Sequence, residues 1–414
     1  MLKLRVKYDA ATTAEYFADD ASLGEREKMG VWLGSGCDTF GAAPDSPVMR
    51  DHLKMALSGF DLHGRRMYQR QVKARRCGWD TVFAPDKSVS VAGLCLDSAL
   101  SDVVYNAFVQ VGPRLTRWIE RMASRQDFYQ ARPVRTNNVT AARFTHETSR
   151  HNDPHLHLHL LLLNATWDSA EKRRANKWKA LETLPIYRTH SILDHLANRE
   201  LARLLHIAGV PASLRQGRCT LPVPRALCDN LSKAHRAIMA MLAEQPPPKL
   251  QPPAKPVSRE HWANHCNDRT RPAKTPVSRR PDLRRMVEDR AKVTEVVRSA
   301  PPTLNTEVPA ESAIPEIVER DLYANSTAWS EKERWAAAAR VASAYPMAPV
   351  EPILDAALSM EKPAPFFDTG FSDHQDAVNA AEYEEVFLKP KTPAKTATPR
   401  RRATRDDDQE VIRP

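Results

Sequence analysis

The chain has 414 residues, of which 42% are hydrophobic, and a formal net charge of +10 at pH 7. This length can bury at least one full core, and the excess of positive charge favours an anionic partner such as nucleic acid. No stretch reaches the roughly 20 apolar residues that cross a bilayer, so we expect a cytoplasmic protein without membrane insertion. The six cysteines form no C-x-x-C pair, which disfavours a zinc ribbon or a disulfide framework.

Residues 1–243 have the patterning of a globular domain. The segment 2–8, LKLRVKY, alternates apolar and polar residues like a half-buried strand. Another strand begins near residue 80 and ends at Pro85, and apolar residues then recur at helical spacing over 100–122. The pair Gly112-Pro113 is predicted to kink or split that helix.

Two strand-like segments, 127–134 and 138–146, come next in the chain. A long strand follows over 155–166, with the sequence HLHLHLLLLNAT. An amphipathic helix is predicted from about residue 184 to 208, with Gly209 as its C-terminal stop. Hairpin-like strands combined with such helices indicate an α+β domain, an antiparallel sheet with helices on one side.

The composition changes at residue 244, after which prolines and basic residues become frequent. We predict a proline-rich basic linker over 244–325 that is mostly disordered. A small helical segment is expected over 326–362, where Ser330 and Glu333 can form a capping box. Residues 363–414 are predicted to be a disordered charged tail.

Histidines are concentrated in the strand that begins near residue 155. His157 and His159 lie two residues apart on it, so they share a face, and two neutral imidazoles on one face can begin a metal site. His155 lies about 13 Å from His159 by strand rise, which is too far to share an ion comfortably. His146 ends the preceding strand and can reach across an antiparallel neighbour. An isolated H-x-H pair that only faces solvent is the alternative.

Four segments together resemble the TrwC/TraI-type (MobF-class) conjugative relaxases, which are HUH endonucleases. The histidine segment 144–164 resembles the signature of that family, and residues 78–91, GWDTVFAPDKSVSV, resemble its second motif. A third, weaker match covers 32–66, a fourth covers 176–210, and all four occur in family order. The positions that match the histidine signature are Phe144, His146, Thr148, Ser149, Arg150, Pro154, His157, His159 and Asn164.

The resemblance implies a relaxase domain of palm-like, RRM-like fold over 1–243. It implies site- and strand-specific DNA nicking and strand transfer through a 5′-phosphotyrosyl intermediate, which initiates conjugative mobilisation of a plasmid or integrative element. Tyr16 is the expected nucleophile. Asp80 is expected beside the site, where it either accepts the Tyr16 proton or fixes the tautomer of a ligand histidine. The expected ligands of a divalent cation, Mg²⁺ or Mn²⁺, are His146, His157 and His159.

The expected substrate is single-stranded DNA at a transfer origin. Lys87, Arg150 and Lys177 are expected to contact its phosphates. Accessory mobilisation proteins, a coupling protein and a separate helicase are further expected partners, since the sequence contains no G-x-x-x-x-G-K-[ST] phosphate loop.

Two features depart from the family pattern. Asp86 adds a carboxylate directly before Lys87, and Phe17 follows Tyr16 where many relatives carry a second tyrosine. Tyr8 is the rival nucleophile, but no motif position corresponds to it. Two other functions remain open from the sequence: a rolling-circle replication initiator that uses the same chemistry, and a non-catalytic DNA-binding relative of the relaxases.

Overall fold

Strands and helices are mixed up to residue 220 of the described chain, and only helices follow. The computed structural model describes residues 2–20, 30–68, 75–127, 132–172, 176–244, 262, 266, 272, 282–326 and 329–360. The strands are β1 (Leu2–Lys7), β2 (Val31–Leu33), β3 (Gly78–Phe83), β4 (Ser124–Asp127), β5 (Arg132–Arg135), β6 (Ala141–Thr148), β7 (Pro154–Leu163), β8 (Thr166–Trp167), β9 (Trp178–Lys179), β10 (Ser213–Arg215) and β11 (Arg218–Thr220). The helices are α1 (Ala10–Asp20), α2 (Cys37–Phe40), α3 (Arg50–Ser58), α4 (Lys87–Cys95), α5 (Ser98–Met122), α6 (Leu184–Ile207), α7 (Arg225–Asn230), α8 (Lys233–Glu244), α9 (Arg290–Ser299), α10 (Ile314–Asn325), α11 (Glu331–Ala344) and α12 (Val350–Ser359). Within these described ranges no helix has the length and apolar character needed to cross a membrane.

Five strands form a central sheet in the order β1-β3-β7-β6-β2, and every pair of neighbours is antiparallel. Side chains alternate between the two faces of a strand. On the middle strand β7, Leu158 and Leu160 therefore pack in one core cluster, whereas Leu161 and Leu163 pack in a second cluster on the other face. Because both faces are covered, β7 continues as a run of leucines after its histidines.

Helices cover the two faces of this sheet unequally. The helices α4, α5 and α6 pack on the face of Leu158, as the sequence predicted. The short helices α1, α2 and α3 pack on the opposite face through Phe17, Phe40 and Leu53. The predicted α+β class with a central antiparallel sheet is confirmed, and the second layer of short helices is an addition to it.

The helix α5 runs without interruption through Pro113, so the predicted split at this residue is wrong. Proline has no N–H, and the carbonyl of Val109 therefore loses its helical donor. The guanidinium Nη1 of Arg143, on the neighbouring strand β6, donates to that carbonyl at 3.3 Å. Gly112 makes room for this side chain, because a Cβ at that position would lie 2.7 Å from Cδ of Arg143. A donor from the sheet thus replaces the missing one.

The structure also differs from the predicted linker over 244–325. Residues 282–325 contain the helices α9 and α10, whose side chains Val297, Val318 and Leu322 are fully buried in the main core. The prediction of a mostly disordered segment is therefore wrong for this part. It rested on the proline and charge content averaged over the whole segment, and that average does not reveal two short amphipathic helices. Most of 245–281 and all of the predicted tail 363–414 lie outside the described residues.

Further along the chain, the predicted capping box at the start of α11 is present. Ser330 N donates to Glu333 Oε2 at 2.8 Å, and Glu333 N donates to Ser330 Oγ at 3.4 Å. This reciprocal pair satisfies two backbone donors that the first turn of a helix leaves unpaired.

A buried arginine on α6 joins the last helices to the sheet domain. Arg199 exposes 1% of its surface and donates to the carbonyls of Ala342 at 3.1 Å, of Tyr345 at 3.0 Å and of Ala348. These carbonyls lie in the last turn of α11 and in the turn that leads to α12, where a helix leaves backbone acceptors unpaired. The carbonyl of Tyr345 also accepts from Ala348 N at 3.1 Å. The same guanidinium lies 3.3 Å from the Glu200 carboxylate.

We expect Arg199→Met to lower the free energy of unfolding by about 3 kcal/mol, because it removes the guanidinium donor from the carbonyls of the buried residues Ala342 and Ala348. The matched control is Arg340→Met, which removes a partly exposed ion pair with Asp321 and should cost at most about 1 kcal/mol. Urea denaturation of both variants measures the difference. Equal losses in the two variants would contradict the role assigned to Arg199.

Candidate metal centre and nucleophile

Three histidines converge at one end of the sheet. His146 on β6 lies directly opposite His157 on β7, and His159 follows two residues later on the same face. Their candidate ligand nitrogens all lie within 4.8 Å of one another. His155 stacks its ring on that of His157, at 4.7 Å between centroids, but it does not belong to this group. The structure therefore brings together the three histidines that the sequence singled out.

Hydrogen bonds at the Nδ1 atoms fix the tautomers of two of these rings. Nδ1 of His157 lies 2.8 Å from the backbone carbonyl of His155, and Nδ1 of His159 lies 2.7 Å from Oδ1 of Asp80. A carbonyl and a carboxylate only accept, so each Nδ1 carries a proton and each Nε2 is the ring nitrogen left to face the other histidines. Burial and the neighbouring imidazoles hold the pKa of His157 well below its ordinary value. This ring is therefore neutral at physiological pH.

The donor set fits a divalent cation. Nε2 of His159 is buried and has no hydrogen-bond partner among the residues that the structure describes. A buried polar atom in that state requires an explanation, and coordination of a metal ion provides one. Three neutral imidazoles suit Mn²⁺ and later first-row ions better than Mg²⁺, which prefers oxygen ligands.

Asp80 lies behind His159 and is almost completely buried. Its Oδ1 accepts from His159, and its Oδ2 lies 3.2 Å from the ammonium Nζ of Lys7. Burial by itself would raise the pKa of Asp80, but the attraction and hydrogen bonds of His159 and Lys7 outweigh it and lower the pKa to about 2. A carboxylate with this pKa is a weak base at neutral pH, and both of its oxygens are engaged. The geometry thus favours orientation of His159 over acceptance of a proton from Tyr16.

We expect Asp80→Asn to weaken metal binding by about 10- to 100-fold, because the candidate ligand His159 loses the charged acceptor that fixes its tautomer. The control is Asp86→Asn. Asp86 caps α4 by accepting from Ser88 N at 2.9 Å, and asparagine caps a helix equally well. Competition with a colorimetric chelator measures both affinities. An Asp80→Asn protein that binds metal as tightly as the control would refute the orienting role.

Tyr16 lies on α1 at the edge of the histidine group. Its ring meets that of His159 edge to face, with centroids 6.4 Å apart, and the Lys7 Nζ lies 6.0 Å from the centre of the Tyr16 ring. The neighbouring Phe17 is fully buried and stacks on Phe144 at 4.9 Å. Phe17 therefore anchors the helix, and Tyr16 stays half-buried beside the histidines.

The three basic residues expected to contact DNA lie in different settings. The Lys87 ammonium donates to the carbonyl of Pro154 at 2.6 Å, so it holds the start of β7. Burial also lowers the pKa of Lys87. Arg150 is half-buried in the turn before β7, and Lys177 Nζ donates to the carbonyl of Ser169 at 3.4 Å. Contact of these three residues with DNA stays a prediction. For Lys87 the hydrogen bond to Pro154 argues against such a contact, because the ammonium already has a partner within the fold.

Sequence reasoning missed Lys7, which contacts Asp80 and lies near Tyr16. The available signal was the alternation in the segment 2–8, which places its polar residues on a single face. No motif position marks this lysine.

The model of the TrwC relaxase family matches residues 5–294. The multifunctional conjugation protein TraI of Escherichia coli is 33% identical over 211 residues, and TraI of strain K12 is 29% identical over 210 residues. Each of these alignments covers 48% of this chain but only 11% of the relative, so the chain spans about a tenth of their length.

Solved structures give the same assignment. The conjugative relaxase TrwC in complex with oriT DNA, in its metal-bound form, has a TM-score of 0.59 and 27% identity. Its copper-bound form has a TM-score of 0.58 and 28% identity, and each alignment covers 72% of this chain and 98% of the other. Because the family model matches well over half of the sequence, the chain belongs to the TrwC relaxase family.

Proposed function

We propose that this protein nicks one DNA strand at a transfer origin and transfers it, which initiates conjugative mobilisation of a plasmid or integrative element. The observation that carries the proposal is the position of Tyr16, whose ring contacts one of three converging histidines. The TrwC structures to which the chain is similar contain oriT DNA, and one contains a 27-mer with a recognition hairpin and cleavage site. The accessory proteins, coupling protein and helicase expected from the sequence remain predictions.

The proposed reaction exchanges one phosphoester bond for another. The Tyr16 phenol gives up its proton and its oxygen attacks the scissile phosphorus. A 5′-phosphotyrosyl bond forms, the bond between phosphorus and the DNA 3′-oxygen breaks, and that oxygen takes up one proton and leaves as a hydroxyl. Attack by that 3′-hydroxyl reverses the step and restores the phenol. A phenol with a pKa of about 10 and an anionic phosphodiester both require nearby positive charge, which Lys7 supplies on the tyrosine side.

His146, His157 and His159 are the residues that would hold the cation, which we propose to be Mn²⁺ or Mg²⁺. When bound there, a divalent ion supplies a Lewis acid for the phosphate oxygens. Asp80 keeps Nε2 of His159 directed toward the group by holding the proton on Nδ1. A single tyrosine implies that a second cleavage, at the end of transfer, uses another copy of the protein or simple reversal by the released 3′-hydroxyl.

The test is incubation with single-stranded DNA from the element's own transfer origin in the presence of Mn²⁺. We expect a covalent protein–DNA product and a shorter strand with a free 3′-hydroxyl on a denaturing gel. An oligonucleotide with a scrambled nick site is the control and should remain intact. Binding without cleavage would favour the non-catalytic alternative, and cleavage without a covalent product would refute the tyrosine mechanism.

A further inference from the structure

The edge strand β1 separates apolar from basic side chains. Leu2 is buried in the main core, and Leu4 and Val6 pack against that core. Successive side chains on a strand point to opposite faces. The remaining residues of β1 therefore project from the other face of the sheet, and all of them are basic: Lys3, Arg5 and Lys7. We refer to Lys3, Arg5 and Lys7 as the basic strip.

The face that carries the basic strip is also the face of the histidine group. Arg5 pairs with Asp80 in the β1–β3 register, and residues directly opposite in an antiparallel pair point to the same side. Lys3 lies in line with Val82, which pairs in turn with His159 on β7. The basic strip and the candidate metal centre are thus separated by one strand, β3.

One end of the basic strip reaches the nucleophile. Lys7 Nζ lies 6.0 Å from the centre of the Tyr16 ring and 3.2 Å from Asp80. Arg5 is exposed, and Lys3 is half-buried. Residues two apart on a strand are separated by about 6.7 Å, a spacing comparable with that of successive phosphates along an extended DNA strand. The charges therefore form a row along the edge strand of the sheet.

We propose that the basic strip binds the phosphates of the single-stranded DNA that flanks the scissile bond, so that the strand follows β1 to Tyr16. This inference rests on the proposed function, because it assumes a single strand at Tyr16. The sign and spacing of the charges match a phosphodiester backbone, and such contacts give affinity that falls steeply with salt. Edge strand β1 has no strand neighbour on its outer side within the described sheet, and Arg5, in the middle of the basic strip, is exposed.

The test is the double variant Lys3→Gln/Arg5→Gln. It leaves Lys7 unchanged, since Lys7 holds Asp80. The matched control is Arg215→Gln/Arg218→Gln, which removes the same charge from exposed positions of the β10–β11 hairpin. That hairpin packs on α6, on the opposite side of the sheet from the histidines.

Fluorescence anisotropy with labelled single-stranded DNA measures the dissociation constant at several salt concentrations. For two lost phosphate contacts we expect roughly tenfold weaker binding near 0.1 M salt. The logarithm of the association constant should also fall less steeply with the logarithm of the salt concentration, with a slope whose magnitude is smaller by about 1.4. The control should retain the wild-type slope. Wild-type affinity and slope in the double variant, or an equal change in the control, would overturn the proposal.

Oligonucleotides shortened on one side of the nick site locate the contact. The wild-type protein should lose affinity on truncation of one particular flank, and the double variant should be insensitive to that truncation. A loss shared equally by both flanks in the double variant would overturn the proposal. These readouts require binding only. A wild-type protein that binds DNA without nicking it would refute the proposed function, and the salt dependence of DNA binding would still test the basic strip.

Discussion

Replacement of Tyr16 by phenylalanine should abolish covalent attachment of DNA while the affinity for single-stranded DNA stays nearly unchanged. The substitution removes one hydroxyl and keeps the ring, so the edge-to-face contacts with His159 and Phe17 remain. Loss of a nucleophile typically lowers the rate by about 10⁴-fold or more, because no other group can form the covalent bond. Denaturing gels measure the adduct, and anisotropy measures the binding.

The matched control for that variant is Tyr8→Phe. Tyr8 follows β1 directly and is 42% exposed, so its hydroxyl can be removed without disturbing the core. The Tyr8→Phe protein should nick at the wild-type rate. Adduct formation that survives in Tyr16→Phe and disappears in Tyr8→Phe would transfer the nucleophile assignment to Tyr8.

Replacement of His157 by alanine should weaken metal binding by more than about 100-fold and abolish metal-dependent nicking. Substitution of a group that only hydrogen-bonds to a metal ligand already lowers metal affinity by about 10- to 100-fold, and removal of the ligand itself should lower it further. The measurement is competition with a chelator for Mn²⁺, followed by nicking assays over a range of metal concentrations.

His155→Ala is the control for this second variant. His155 stacks on His157, but its side chain is not one of the three converging groups. Alanine also keeps the backbone carbonyl that accepts from Nδ1 of His157. The control should bind metal almost normally, and equal losses in the two variants would contradict the ligand assignment.

Strand periodicity explains why the histidines of the candidate metal centre could be predicted from the sequence. Alternation on one strand determines that His157 and His159 share a face, whatever the rest of the fold does. The placement of His146 needed only an antiparallel neighbour, and the structure pairs it directly with His157. Both inferences depend on local geometry, which a sequence carries reliably.

The sequence could not decide between the two roles expected for Asp80, acceptance of the Tyr16 proton and orientation of a histidine, because they depend on which atoms lie within hydrogen-bonding distance. The carboxylate meets His159, 79 residues later, and Lys7, which lies on another strand. The continuity of α5 through Pro113 has the same origin, since the compensating donor Arg143 lies on β6. Such long-range compensation leaves no local signal in the sequence.

The most direct test of the central claim is to map the covalent adduct formed on transfer-origin DNA. Trypsin should release a peptide of residues 8–26 that carries a nucleotide, and this peptide contains both Tyr8 and Tyr16. Fragmentation of the peptide by mass spectrometry should place the nucleotide on Tyr16. A nucleotide on Tyr8, or on any residue outside this peptide, would contradict the assignment of Tyr16 beside the three histidines as the nucleophile.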